Sequence, residues 1–258
     1  MRYTRVAERL FNRPLMISES KLNLILSLFG QRSGIALSGI AMSDEDAAPA
    51  ETEPRREGYA VQGGLGIISI YGPLMHRVLA MEFPSGGPMT YADIRKAFDL
   101  ALADDGVHGI VLDIDSPGGE VSGAFDLADH IFRSRDIKPV TAIVNESAYS
   151  AAYLLASSAG KIVIPRTGGA GSIGVIATHA DFSRAEDKAG VTVTHVYAGA
   201  RKADFSPHAP LGQEAAAVLL DKVRDTYALF VETVARNRGL PTQQVRDTEA
   251  GIFEGAKA

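Results

Sequence analysis

A serine set among small residues, Ala148-Tyr149-Ser150-Ala151-Ala152-Tyr153, follows the apolar run Val140-Thr141-Ala142-Ile143-Val144. Further along, Lys202 stands in Ala198-Gly199-Ala200-Arg201-Lys202-Ala203-Asp204, and upstream Ser116-Pro117-Gly118-Gly119 follows a second apolar run. A hydroxyl, an amine and backbone N–H groups left open by glycine are the three parts of acyl transfer: nucleophile, base and oxyanion donors. In that arrangement Ser150 opens a helix, is exposed at the turn, and is reached by a base from elsewhere in the chain. The same residues have plainer roles. Serine is a preferred helix N-cap, lysine is by default a solvated surface residue, and a Gly-Gly turn before a helix is commonly structural. To act as a base, Lys202 must be neutral near working pH. Its ordinary pKa is about 10.4, and burial lowers a lysine by up to about 3–5 units. The apolar neighbours Val196 and Tyr197 offer a means of partial burial.

The elements that must position these residues read as alternating strands and helices. Leu65 to Tyr71 is an Ile-rich strand ended by Gly72-Pro73, and Tyr91 to Ala103 is a helix with Thr90 as N-cap. Gly109 to Ile114 is a strand; Val121, Ala124, Phe125, Ala128, Ile131 and Phe132 then share one helical face. Val140 to Val144 is the next strand, Ser150 to Ser158 a short helix, and Lys161 to Pro165 another strand. Ser172 to Ala177 and Val191 to Tyr197 are further strand candidates. Glu214 to Asn237 is a long helix with an apolar stripe of Leu219, Val223, Tyr227, Phe230, Val231 and Val234, stopped by Gly239. Alternation at this spacing indicates βαβ units and a largely parallel sheet, with right-handed crossovers. In such sheets ligands gather at the carboxyl ends of strands, where Asp115 to Gly119 falls.

Three parts follow from composition: a helical arm over 1–42, an acidic, proline-bearing linker over 43–58, and a main domain over 59–258. The basic start, Arg2, Arg5 and Arg9, is interrupted by Arg13, Glu19 and Lys21, which favours an amphipathic arm over a targeting segment. At 258 residues, 46% hydrophobic and 22% charged, the chain has a globular composition. A net charge of −5 argues against general nucleic-acid binding. No apolar run approaches the roughly 18 residues of a membrane span. The chain has no cysteine, so disulfides, thiolate catalysis and cysteine metal sites are excluded. No His-x-x-x-His or His-Glu-x-x-His pattern occurs, so no metal is expected. Neither a Gly-Lys-Ser/Thr phosphate loop nor a Gly-x-Gly-x-x-Gly fingerprint is present. A Ser-His-Asp triad is the rival to the Ser-Lys pair, but no serine sits in Gly-x-Ser-x-Gly. Of the six histidines, His130 reads as structural, His195 lies inside a strand pattern, and His208, flanked by prolines, could line a cleft.

Four motifs in order, with their gaps, resemble the signal peptide peptidase A family of Ser-Lys peptidases, and within it the phage and prophage capsid-assembly (prohead) protease branch. They are Asp115-Ser116-Pro117-Gly118-Gly119, Tyr149-Ser150-Ala151-Ala152-Tyr153, Gly171-Ser172-Ile173-Gly174-Val175 and Gly199-Ala200-Arg201-Lys202. The likeness covers about Leu65 to Ala256, and Phe11-Asn12-Arg13-Pro14-Leu15-Met16-Ile17 also looks like that branch. Alanines stand at 151 and 152 where the family has glycines. The resemblance implies an α/β fold of the ClpP/crotonase-like kind, a spiral of βαβ units. It implies a serine endopeptidase with Ser150 as nucleophile, Lys202 as general base and Ser172 orienting the lysine. Oxyanion donors would come from the backbone of Gly118, Gly119 and Ala151. It further implies no cofactor, a homo-oligomeric ring whose serine and lysine come from neighbouring protomers, and scaffold and capsid proteins as substrates. The setting implied is the cytoplasm of a bacterial host, inside an immature phage head. The family's closing Gly-Leu-Val-Asp segment is absent after Phe253-Glu254-Gly255-Ala256, which predicts a truncated polypeptide. Two other classes stay open at this point. One is a crotonase-type acyl-CoA enzyme, which also uses paired oxyanion N–H groups; the other is a non-enzymatic scaffold or assembly factor.

Overall fold

The computed structural model describes residues 8–33, 58–77 and 89–258. All but the last residue of the linker expected over 43–58 lies outside the described residues. From the N-terminal side, β1 (Leu15–Ile17) and α1 (Glu19–Ser33) come first. A hairpin follows, β2 (Ala60–Gln62) and β3 (Leu65–Tyr71), turned by Gly63 and Gly64, both at positive φ. Two consecutive positive-φ residues are what a two-residue hairpin turn requires. Next come α2 (Tyr91–Ala103), β4 (Gly109–Ser116), β5 (Gly118–Glu120), α3 (Ala124–Ser134), β6 (Val140–Tyr149) and α4 (Ala151–Ser157). The chain continues through β7 (Lys161–Val163), β8 (Gly169–Gly171), α5 (Ser183–Lys188), α6 (Gln213–Arg238), α7 (Thr242–Arg246) and β9 (Ile252–Glu254).

The main sheet runs β2-β3-β4-β6-β8-β9, with β7 paired to the first half of β6. Its centre is parallel: β3 on β4, β4 on β6, and β6 on both β7 and β8. The outer strands β2 and β9 are antiparallel. The protein is therefore a mixed α/β fold whose parallel core is fed by α2 and α3, as the alternation predicts. Ile68, Ile70, Leu112, Ile114, Ala142 and Val144 of the strands are buried against Ile94, Phe98, Leu127, Ile131, Leu154 and Leu155 of α2, α3 and α4. The far half of α6 joins them through Phe230, Val231 and Val234, and Gly239 ends it in the left-handed conformation at φ +66°. Thr90 caps α2, its side chain accepting from the Asp93 N–H at 3.1 Å. No helix among the described residues is long and apolar enough to cross a membrane.

Four local expectations change. The strand expected over Ser172 to Ala177 lies earlier, at Gly169–Gly171, and 172–175 is irregular. Glycine carries no strand preference of its own, so β8 exists because β6 and β9 flank it. Val191 to Tyr197 is no strand: it alternates β-branched residues but finds no pairing partner among the described residues. A closing strand, β9, is present where none was evident. Within the N-terminal arm Leu15–Ile17 is a strand, which separates the helical residues 8–10 from the helix that begins at Glu19.

Candidate active site

Ser150 stands at the junction of β6 and α4, at φ +54° and ψ −117°. That is a backbone state a non-glycine residue adopts only when its surroundings impose it. Here three hydrogen bonds do so. The Ser150 N–H donates to Gly171 O at 2.9 Å, its C=O accepts from Leu154 N–H at 3.0 Å, and its hydroxyl makes a long 3.4 Å contact to Gly174 O. The side chain does not cap α4. Capping was the plainer role open to this serine, and the positive φ turns the hydroxyl away from it. Ser150 is also fully buried rather than exposed at the turn.

The Gly118-Gly119 segment lies beside it. A Cβ added to Gly118, itself at φ +96°, would fall 2.9 Å from Tyr149 O and 3.0 Å from Ala151 N. Glycine is needed there because the backbone that flanks the serine passes at contact distance. At Gly119 a Cβ would fall 1.9 Å from Leu74 O. Leu74 N–H donates to Gly118 O and Glu120 N–H to Leu74 O, both at 2.9 Å, which fixes the segment from one side. The three backbone donors differ. Gly118 N–H already donates to Ser116 Oγ at 3.2 Å. Gly119 is aligned with Met16 of β1. Ala151 is the first residue of α4, so its N–H has no carbonyl to reach within its own helix.

Ser172 is the second serine at positive φ, +53°. Its N–H donates to Gly251 O and its C=O accepts from Gly174 N–H, both at 2.8 Å. Since Gly171 O holds the Ser150 amide and Gly174 O meets the Ser150 hydroxyl, the Gly171–Gly174 turn forms one wall of the site. Tyr149 leans over Gly169. Partial burial, with the Glu254 and Asp115 carboxylates nearby, raises its phenol above the usual range and keeps it neutral. Burial likewise raises Tyr153, opposed by Arg238.

Lys202 is not brought to Ser150 within the protomer. It is exposed, and its backbone N–H donates to Gly199 O at 3.0 Å. It sits on an irregular excursion between β8 and α6, in which every residue from 191 to 202 is exposed. Val196 and Tyr197, which might have buried it, are themselves 97% and 53% exposed. His208, read as a cleft residue, pairs with Glu186 at 2.5 Å on the same excursion. The site element that sequence reasoning missed is β1. It lies antiparallel on β5, with Leu15 opposite Glu120, Met16 opposite Gly119 and Ile17 opposite Gly118. The Phe11–Ile17 run was visible as a likeness but carried no sign of where it would dock.

Residues 133–258, the part that contains Ser150, Ser172 and Lys202, match the family model for Peptidase family S49. Capsid assembly protease C of Escherichia phage lambda is 34% identical over 269 residues, 98% of this chain and 60% of that protein. Head-tail preconnector protein GP5 of Enterobacteria phage P21 is 35% identical over 256 residues, 95% of this chain and 51% of that protein. A putative signal peptide peptidase SppA of Enterococcus faecium is 32% identical over 158 residues, 60% of this chain and 46% of that protein. The chain thus carries a peptidase family S49 region over residues 133–258. It spans about half to three fifths of the length of the two phage proteins it matches.

Proposed function

We propose that this chain is a serine endopeptidase that cuts scaffold and capsid proteins during phage head maturation, using Ser150 and Lys202. The observation that carries the reading is the strained, hydrogen-bonded Ser150 at a strand–helix junction, flanked by the Gly118-Gly119 backbone and the Ala151 amide. A nucleophile held by its backbone, with its hydroxyl only loosely engaged, is poised for acyl transfer. In the mechanism, neutral Lys202 Nζ takes the Ser150 proton as Oγ attacks the scissile carbonyl. N–H groups of Gly119 and Ala151 stabilise the oxyanion, with Gly118 shaping the cradle. The lysine's proton passes to the leaving amine. Water then attacks the acyl-enzyme and gives up its proton to Lys202, which passes it to Ser150 Oγ as the acyl–oxygen bond breaks and the acid leaves. Ser172 orients the lysine in this scheme.

The exposed Lys202 supports a site shared between protomers of a homo-oligomeric ring. The lysine of one copy would meet the serine of the next, and there it would lose the water that keeps it charged. The parallel β3-β4-β6 core supports the finer reading of a ClpP/crotonase-like spiral, with 59–258 as the peptidase unit and 1–42 as its arm. The likeness to the two phage proteins supports action in the bacterial cytoplasm, within the prohead. The test is turnover of fluorescently labelled casein. Ser150→Ala and Lys202→Ala should each reduce it by about 10⁴–10⁶-fold while the far-UV spectrum and melting temperature are kept. Near-normal turnover by either variant overturns the dyad.

A further inference from the structure

Phe11–Ser18 is gripped along both edges. On one side β1 pairs with β5, and Ser18 N–H extends the ladder to Pro117 O at 2.9 Å. On the other, Leu15 N–H donates to Ile176 O at 2.8 Å and Leu15 O accepts from Ile176 N–H at 3.0 Å. Asn12 N–H donates to Thr178 O at 2.8 Å. An extended segment inserted between two others, bonded through its main chain to both, is the way a sheet edge recognises a peptide.

The segment also lies across the reacting position. A Cβ on Gly118 would fall 2.3 Å from Met16 O and 3.0 Å from Ala151 N. The Met16 carbonyl and the amide that follows Ser150 therefore stand on two sides of one methyl-sized space. The Met16 side chain is fully buried and belongs to the main core, the cluster that also holds Leu74 and Ile173. Its neighbours Leu15 and Ile17 belong instead to a small separate cluster with Leu10 and Leu22. One side chain thus enters the body of the protein, and the rest of the segment is held from outside. Arg9, 3.1 Å from the buried Glu120 carboxylate, and Arg13, at 3.9 Å, add a charged anchor that does not belong to the core. With the segment in place Ser150 has no exposed surface.

We propose that Phe11–Ser18 is a built-in occupant of the enzyme's peptide groove, seated with the Met16 carbonyl at the position of attack. It must leave before a substrate strand can enter, and the incoming strand places an apolar side chain in the Met16 pocket. The proposal rests on the peptidase reading for what the groove does, but the occupancy can be read without catalysis. A tethered occupant acts at high effective concentration, so it excludes free peptide until it is loosened.

The chain has no cysteine, so Leu15→Cys with Ile176→Cys introduces a single reversible lock. Residues that exchange both N–H···O bonds sit about 5.5 Å apart, within disulfide reach. The opposite variant, Met16→Asp, expels the pocket side chain; Leu15→Pro, which removes the donor to Ile176 O, serves if Met16→Asp does not fold. Two readouts are used on the full chain: anisotropy of a fluorescein-labelled Phe-Asn-Arg-Pro-Leu-Met-Ile-Ser peptide, and labelled-casein turnover. The loosened variant should bind the peptide at least tenfold more tightly than the oxidised chain. The oxidised lock should cut casein at least tenfold more slowly than its reduced form. Equal peptide binding by locked and loosened chains, or casein turnover that is measurable and equal in the locked and reduced ones, overturns the proposal. Peptide binding confined to the loosened chain, with no casein cut by any form, keeps the occupant and removes the peptidase.

Discussion

The two halves of the proposed dyad occupy opposite kinds of structure. Ser150 sits where β6, β8 and α4 meet, with its backbone N–H and C=O both bonded and its side chain sealed from water. Lys202 sits on an excursion where twelve successive residues, 191–202, are exposed. A fixed hydroxyl and an amine left in solvent are hard to reconcile with a Ser-Lys site completed inside one chain. They fit a site in which the protomer builds the nucleophile's half and a neighbouring surface supplies the rest. On the proposed reading, preorganisation is present where charge would develop, and activity would wait on assembly.

The sharpest way to break this comparison is to mix the two dead variants. If serine and lysine come from different protomers, an equimolar mixture of Ser150→Ala and Lys202→Ala chains, unfolded and reassembled together, regains about a quarter of wild-type casein turnover, because about one interface in four joins an intact serine to an intact lysine. A site closed within each chain regains nothing. The readout separates the two by orders of magnitude, since each variant alone is expected to be down about 10⁴–10⁶-fold.

The same contrast explains what the sequence made legible. Ser150, the Thr90 cap and the strand Leu65–Tyr71 announce themselves through local signals: small residues at a helix start, a capping side chain three residues from Asp93, an Ile-rich run before Gly-Pro. The Gly118-Gly119 turn was legible as a backbone donor segment, though not that Gly118 N–H would be taken by Ser116 Oγ. What stayed hidden depends on distant partners. Strand β8 is three residues, Gly-Ala-Gly, made into a strand by β6 and β9. Val191 to Tyr197 has a strand's composition and lacks a ladder, because strand preference expresses packing against neighbours rather than a property of the backbone alone. The seating of β1 on β5 joins residues about a hundred positions apart, which no local pattern encodes.

Within the rigid half, Gly119→Ala tests how little room the cradle has. The added methyl meets the Leu74 carbonyl, a backbone atom that cannot swing aside. We expect a loss of about 1–3 kcal/mol from overpacking, read by urea unfolding, together with a fall in turnover. A fully stable, fully active variant would mean that the loop has slack and that its glycine is not shaping the site.

Tyr91 gives the rigid half a pH signature. Its phenol is fully buried and donates to Glu120 O at 2.6 Å; burial, then the Glu120 carboxylate, raises its pKa well above the usual value of 10.0. The folded state therefore keeps a proton that the unfolded chain gives up. Stability from this group is complete below about pH 10 and falls as pH rises past it, because the unfolded state then binds fewer protons than the folded one. Tyr91→Phe should flatten that alkaline decline while costing about 1 kcal/mol at neutral pH for the lost hydrogen bond. Urea midpoints between pH 8 and 11 measure both, and an unchanged alkaline slope refutes the assignment.

The smallest effect on the protomer is expected in the exposed half, and there the absence of an effect is informative. Val196 is 97% exposed, so in the isolated chain Val196→Asp removes no packing and should move stability by less than about 0.5 kcal/mol. If that surface is open only until a second copy covers it, a carboxylate in its centre must be desolvated without a partner on assembly. The mass measured by light scattering should then fall toward that of the protomer while the melting temperature of the dissociated chain stays put. Turnover should fall with the assembled fraction and recover at higher protein concentration. A variant that assembles normally and works normally would leave Val196 in water for good, and would move the search for the lysine's partner surface elsewhere on the excursion.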